Sequence, residues 1–196
     1  MQVREIGTGL WYWTGLHPAW TAADGGPDGW AQEVGCVYYE GPDAVVLIDP
    51  LVPMEDSGRF HEALDRDVER AAKPVSILLT VDAHVRSSRN LAERYGVEPP
   101  PLPPERPELP GGVAIAAEAL GEFVFWIPEH GTLVAGDVII GRDGGLWLDE
   151  PWMGDRYDEG REALRPLGEL PVERVLVTHG APVLNDARAS LARALG

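Results

Sequence analysis

Four segments of this 196-residue chain end an apolar run on an ionisable side chain. They are Val-Leu-Ile-Asp49-Pro, Leu-Leu-Thr-Val-Asp82-Ala-His84-Val-Arg86, Leu-Val-Ala-Gly-Asp137 and Leu-Val-Thr-His179-Gly. Strand ends are where open sheets present functional groups. If these ends converge, Asp49, Asp82, His84, Arg86, Asp137 and His179 form one constellation. Imidazole nitrogens and carboxylate oxygens ligate zinc and iron, and the same groups serve as general acids and bases. Each residue also has a plainer reading. Asp49 can cap a turn, Asp137 can be a turn residue after glycine, His84 can face solvent, and His179 can be a satisfied histidine at a strand-to-loop junction.

The remaining histidines are read as structural. His61 lies beside Glu62 on the solvent side of an amphipathic helix, and His130 sits in a Glu129-His130-Gly131 turn. His17 belongs to an aromatic N-terminal segment with Trp11, Tyr12, Trp13, Trp20 and Trp30. Packing against a sheet is the primary reading of that segment, and a lid over the pocket is its alternative. The single cysteine, Cys36, excludes a disulfide framework and a thiolate-rich zinc site, and it reads as a buried, inert thiol. The sequence holds no Gly-x-Ser-x-Gly elbow and no glycine-rich nucleotide-binding element.

The elements that must position these residues can be read from apolar periodicity. Strand patterns fall at 10–13, 34–39, 44–48, 75–79, 113–117, 123–127, 132–135 and 174–177, with 138–140 and 146–148 as continuations. Phe60, Ala63, Leu64, Val68 and Ala71 share one helical face, with Asp56 or Ser57 as cap and Pro74 as stop. A short helix capped by Ser87 or Ser88 carries Leu91, Ala92 and Tyr95 and closes at Gly96. Further helices are expected from about Asp158 to Arg165 and after a cap at Asn185. Residues 98–112, EPPPLPPERPELPGG, read as a Pro-rich surface connection within one domain spanning 1–196. Strands first, then strands interleaved with helices, point to an α/β (α+β) chain of two sheets, each covered by helices on its outer face.

Charge narrows the partners. With 16 Lys+Arg against 32 Asp+Glu the formal net charge is −16, which disfavours nucleic acid and anionic membranes alike. No apolar run approaches the roughly 20 residues of a membrane span, and the first residues lack a signal-peptide pattern, so a cytoplasmic location is expected.

The order and spacing of these elements resemble the metallo-β-lactamase-fold hydrolase superfamily over nearly the whole chain. The resemblance rests on the "LIDP" strand end, the "ILLT" strand before a candidate ligand loop, the "GD" after a hairpin and the "VTHG" near the C-terminus. It implies an αββα sandwich and one or two zinc ions, or iron, that activate water against esters, thioesters, lactams or phosphoesters. The family's ligand loop reads Thr-His-x-His-x-Asp-His. Laid over this chain from Thr80, its ligand positions fall on Val81, Ala83, Val85 and Arg86, and His84 falls on a spacer. The family's next histidine has no counterpart in residues 111–122, where Glu118 and Glu122 are the only candidate ligands. Asp137 and His179 alone match.

Two readings follow. In the first the site is degenerate and metal-free, with Arg86 standing in for the ion by pairing with Asp137 or Asp82. The protein then binds a small ligand or acts as an interaction protein, with no cofactor. In the alternative His84, Asp137 and His179 hold one zinc or iron, Asp82 or a metal-bound hydroxide acts as base or nucleophile, and an ester, thioester or lactone is hydrolysed. A homodimer through the aromatic N-terminal segment is a further expectation.

Overall fold

The apolar runs resolve into strands that form two main sheets in the computed structural model, which describes residues 1–26, 29–103 and 105–196. The first sheet takes β1 (Gln2–Gly7), β2 (Leu10–Leu16), β3 (Glu33–Glu40), β4 (Val45–Ile48) and β5 (Val75–Leu78) in that order. Its pairings are antiparallel except β4 with β5, which are parallel and joined through helix α1 (Ser57–Ala71). After α2 (Ser88–Tyr95) come β6 (Val113–Ala117), β7 (Glu122–Ile127) and β8 (Thr132–Ala135). A hairpin of β9 (Ile139–Arg142) and β10 (Gly145–Leu148) follows, then α3 (Glu150–Met153), α4 (Tyr157–Leu164), β11 (Arg174–Val177) and α5 (Ala187–Leu195). The second sheet runs β11-β8-β7-β6, with β11 parallel to β8.

The core divides into layers, as the two-sheet expectation requires. Tyr12, Val37, Tyr39, Val46 and Ile48 of the first sheet meet Phe123, Phe125, Ile127, Val134 and Leu176 of the second in the central layer. On the outer face of the first sheet, Trp13, Tyr38, Leu47 and Ile77 pack on Phe60 and Leu64 of α1 and Leu91 of α2. On the outer face of the second, Val124, Leu133 and Val175 pack on Leu164 of α4 and Leu191 of α5. Burial of such side chains contributes roughly 1.5–3 kcal/mol each. Among the described residues no helix is long and apolar enough to cross a membrane.

The helix stops follow their local chemistry. α1 ends where Ala72 turns left-handed at φ 51°, and α2 ends on Gly96 at φ 64°. The last helix starts one residue later than expected: Asp186, at φ 54°, precedes it in place of Asn185. Strand β1 has no counterpart in the sequence-based expectation. It is a sheet edge exposed along most of its length, so it carries little burial alternation to read. The Pro-rich stretch 98–112, of which Pro104 lies outside the described residues, forms no helix or strand. It is anchored by buried Leu109 and by Arg106, whose Nη2 donates to Ala114 O at 2.6 Å on the edge strand β6. His61 is half-buried, not fully solvent-facing, with its Nδ1 shielded.

Parallel pairing levels the strand ends. Ile48 is in register with Leu78, and Ala135 with Val177, so Asp49, Thr80, Asp137 and His179 all emerge along one edge of the sandwich. The two sheets are clamped there. Gly35 N–H donates to Thr178 O at 2.8 Å, and Tyr12 Oη donates to Val177 O at 3.0 Å. A Cβ on Gly35 would lie 2.3 Å from Tyr12 Oη and 2.4 Å from Val177 O. Gly35→Ala is therefore expected to lower unfolding stability by about 2 kcal/mol through overpacking. Gly58→Ala, with open space around its Cβ, serves as the control and is expected to be neutral or slightly stabilising in urea titrations.

Candidate metal centre

The loop after β5 decides the site. Residues Asp82–Val85 form a tight helical turn, with His84 N–H donating to Val81 O at 3.1 Å. That turn carries the His84 ring inward, where it is 4% exposed, although its position matched a spacer of the family motif. Asp82 lies on the outer side of the same turn, exposed and without a hydrogen bond or ion pair among the described residues. The structure thus does not bring Asp82 to the other site residues. Glu118, in the turn before β7, is likewise exposed.

Asp49 is the buried anchor of the group, a larger role than capping a turn. It is 2% exposed and sits at φ 49°, a left-handed conformation uncommon for a residue other than glycine. Its Oδ1 accepts Thr80 N–H at 2.8 Å, and its Oδ2 accepts the hydroxyls of Thr80 at 2.5 Å and Thr178 at 3.3 Å. His84 Nδ1 lies 3.0 Å from the same Oδ2. An ionised carboxylate there fixes the proton on Nδ1 and leaves Nε2 to face the other strand ends.

Asp137 and His179 complete the cluster from the second sheet. Asp137 Oδ1 lies 3.1 Å from His84 Nε2 and 3.0 Å from His179 Nε2. Despite those distances Asp137 Oδ1 is buried without a well-aligned hydrogen bond, so neither ring N–H points along the contact. One atom from each of the three side chains lies within 4.8 Å of the other two. Two imidazole nitrogens and one carboxylate oxygen this close together are groups that could ligate a single zinc or non-haem iron ion. The Asp49–His84 contact supplies the outer carboxylate that metal-ligating histidines use. The residues present fit one ion.

Electrostatics agree with a tightly coupled group. Burial alone would push His84 down, but Asp49 and Asp137 outweigh it against opposition from Arg86 and raise its pKa to about 9. Burial pushes Asp137 up, yet the imidazoles of His179 and His84 hold it well below the usual carboxylate range. Asp49 is also lowered, His84 and Arg86 overcoming its burial. Glu122 behaves in the opposite way. It is 1% exposed, its Oε1 accepts Val138 N–H at 3.2 Å, and its Oε2 is unpartnered. Burial and the charge of Asp137 raise its pKa well above the usual carboxylate range. It braces the Gly136-Asp137-Val138 turn, where a Cβ on Gly136 would meet Thr80 Oγ1 at 2.4 Å and Glu122 Oε1 at 2.7 Å.

Arg86 takes a different place from the one expected. It makes no ion pair with Asp137, Asp82 or any other carboxylate among the described residues. Its Nη1 donates instead to Asp49 O at 3.0 Å and Gly35 O at 3.2 Å, with Cys36 Sγ at 3.9 Å. The backbone of Arg86, at φ 35° and ψ −116°, turns the side chain toward these carbonyls and away from Asp137, whose oxygen is met by the two histidines. Cys36 is a buried thiol pushed up to about 12 by burial, as its strand position suggested.

The aromatic N-terminal segment divides its roles. Trp13 is core, and its Nε1 donates to Leu51 O at 3.0 Å. Trp30, held through Trp20 Nε1 donating to its carbonyl at 2.9 Å, stands over His179 with ring centroids 5.2 Å apart at 69°. His17 also packs against Trp30, at 5.3 Å and 83°. The sequence places His17 in the aromatic segment, as sheet packing or a lid, and outside the expected ligand loops. It reaches the site through a loop that closes on itself between His17 and Gln32.

No family model and no curated protein matches the chain. Solved structures do. A metallo-β-lactamase family protein from Thermus thermophilus shares 18% identity at a TM-score of 0.57, covering 96% of this chain and 79% of that one. A metallo-β-lactamase from Erythrobacter litoralis shares 16% at 0.57, covering 98% and 89%. The metallo-β-lactamase FIM-1 from Pseudomonas aeruginosa, solved in a mono-zinc form, shares 14% at 0.55, covering 99% and 94%. With its helix–sheet–sheet–helix layering, the chain has the metallo-β-lactamase fold.

Proposed function

We propose that this protein is a metallohydrolase-like member of that fold with one three-donor site, in which His84, Asp137 and His179 hold a single zinc or iron(II) ion. The observation that carries the reading is the convergence of two Nε2 atoms on a buried Asp137 Oδ1 that has no well-aligned hydrogen bond of its own. When bound, such an ion supplies Lewis-acid activation of water at neutral pH, and the reaction class is hydrolysis of an ester, thioester or lactone. The chain's own residues prepare that chemistry. Asp49 holds the proton of His84 on Nδ1, Thr80 and Thr178 hold Asp49, Glu122 braces the turn of Asp137, and Trp30 shields His179 from bulk water.

The test is a thermal unfolding titration with zinc and with iron(II), followed by assays of the loaded protein on ester, thioester and lactone panels. A ligand present at 100 times its dissociation constant stabilises by about 2.7 kcal/mol, which raises the midpoint by several degrees. The gain is expected to disappear in His179→Ala. An unchanged midpoint with both metals contradicts the reading.

A second reading, a metal-free pocket for a small ligand, is favoured by the charge balance. The two ionised carboxylates, Asp49 and Asp137, are matched by His84 at pH 7 and by Arg86, so the cluster is neutral without an ion. That reading predicts the same unfolding midpoint before and after chelator treatment.

A further inference from the structure

We propose that Arg86 and His17, together with the free edge of His179, form an oxyanion-recognition subsite beside the three-donor centre, so that the substrate carries a carboxylate or phosphate group as well as its scissile bond. The inference rests on the reading of that centre as the reacting site. Three buried nitrogens on three separate segments have no hydrogen-bond partner: Arg86 Nε, His17 Nδ1 and His179 Nδ1. Buried polar atoms are nearly always paired, so three unpaired nitrogens on adjoining segments mark the place of something that accepts from them.

The three are neighbours. Trp30 bridges the rings of His17 and His179 at centroid distances of 5.3 and 5.2 Å. Arg86 joins them through the backbone: its Nη1 donates to Gly35 O at 3.2 Å, Gly35 N–H donates to Thr178 O at 2.8 Å, and Val34 bridges to His179.

Arg86 is unusual in its own right. A non-glycine residue at φ 35° is strained, and such strain concentrates where a side chain must be aimed. Only Nη1 is engaged, by two backbone carbonyls, leaving the Nε edge of the guanidinium unclaimed. A planar fork held at one corner is suited to oxyanions.

Neither nearby carboxylate makes a direct ion pair with the Arg86 guanidinium. Asp49 is committed to Thr80, His84 and Thr178, and Asp137 faces the two Nε2 atoms. Asp24, the carboxylate that acts on His17, is held by the amide and hydroxyl of Thr21. Three nitrogens stay without an acceptor, and an oxyanion ligand would supply one.

The test uses the full chain stripped of metal by chelator dialysis and then freed of chelator. Its thermal midpoint is followed during titration with sodium succinate and with sodium phosphate, against sodium chloride at equal ionic strength. A saturable rise with succinate or phosphate beyond that of chloride is expected, and the anion acting at the lower concentration identifies the group. In Arg86→Gln and His17→Gln the concentration needed is expected to rise at least tenfold, each measured from that variant's own anion-free midpoint. Arg86→Lys, which keeps the charge and loses the fork, provides a second folded comparison with intermediate affinity.

Equal rises in wild type and Arg86→Gln, or no rise beyond chloride in wild type, overturn the subsite. Metal equivalents measured on the same preparations separate the two ideas. Anion binding that depends on Arg86 in a protein that takes up no metal supports the subsite and removes the hydrolase reading. Metal uptake without an anion effect removes the subsite alone.

Discussion

Replacing His84 with alanine is expected to abolish metal uptake and to lower unfolding stability by about 3–5 kcal/mol at pH 6, the range for breaking a buried ion pair. The imidazole lies between two carboxylates, 3.0 Å from Asp49 Oδ2 and 3.1 Å from Asp137 Oδ1, and both carboxylates are nearly sealed from water. Without it, two buried negative charges face each other across a cavity. Each must protonate or draw in water, and either route costs stability.

The effect depends on pH with a definite sign. In the metal-free protein His84 titrates at about 9 against a model value of 6.5, so its contribution is complete below about 6.5 and is lost as the pH rises through about 9. That difference corresponds to roughly 3 kcal/mol. Wild type and His84→Ala are therefore expected to converge in urea unfolding between pH 6.5 and 9.5. The lowered pKa values of Asp49 and Asp137 act at the other end, giving stability that is present above their unfolded value of 3.8 and is lost as the pH falls through their folded values. A bound ion reverses the alkaline trend, because it requires the deprotonated Nε2 and binds more tightly as pH rises. Asp82→Ala, two residues away and exposed, is the control. It is expected to stay within about 0.5 kcal/mol of wild type and to leave metal uptake unchanged.

Asp49→Asn is the second large effect. Asparagine tolerates the left-handed backbone that Asp49 adopts at φ 49°, so the substitution removes charge with little backbone strain. The amide retains one oxygen for the Thr80 amide or for the hydroxyls of Thr80 and Thr178, while its NH₂ group is a donor facing donors. His84 loses the carboxylate that holds its Nδ1 proton. Removing an outer carboxylate from a metal-ligating histidine typically weakens metal binding 10–100-fold, and that is the expected change in zinc affinity by calorimetry. An accompanying stability loss of about 2–3 kcal/mol is expected from the disturbed charged hydrogen bonds.

Much of the architecture was legible because strand ends, turn residues and helix faces leave local patterns. Ala44 to Ile48 and Val75 to Leu79 read as buried strands, and the structure sets them in parallel with their ends level. The convergence of Asp49, His84, Asp137 and His179 follows from that register and from its counterpart in β8 and β11. What stayed hidden depends on conformation within single turns. A motif alignment assigns side chains by spacing, but the Asp82–Val85 turn rotates His84 inward and Asp82 outward, and the left-handed φ of Arg86 sends its guanidinium to backbone carbonyls. Glu122 was visible only as a candidate ligand, since its raised pKa depends on burial next to Asp137. Trp30 and His17 come from a loop whose only mark in sequence is aromatic content.

The most direct measurement is elemental analysis of the purified full chain after growth with supplemented zinc or iron and dialysis against metal-free buffer. One tightly held equivalent of zinc or iron per chain, absent from His84→Ala and His179→Ala, is the predicted result. A chain that retains no metal, with His84 titrating near 9 in nuclear magnetic resonance spectra, would contradict it and leave the neutral, metal-free cluster as the native state.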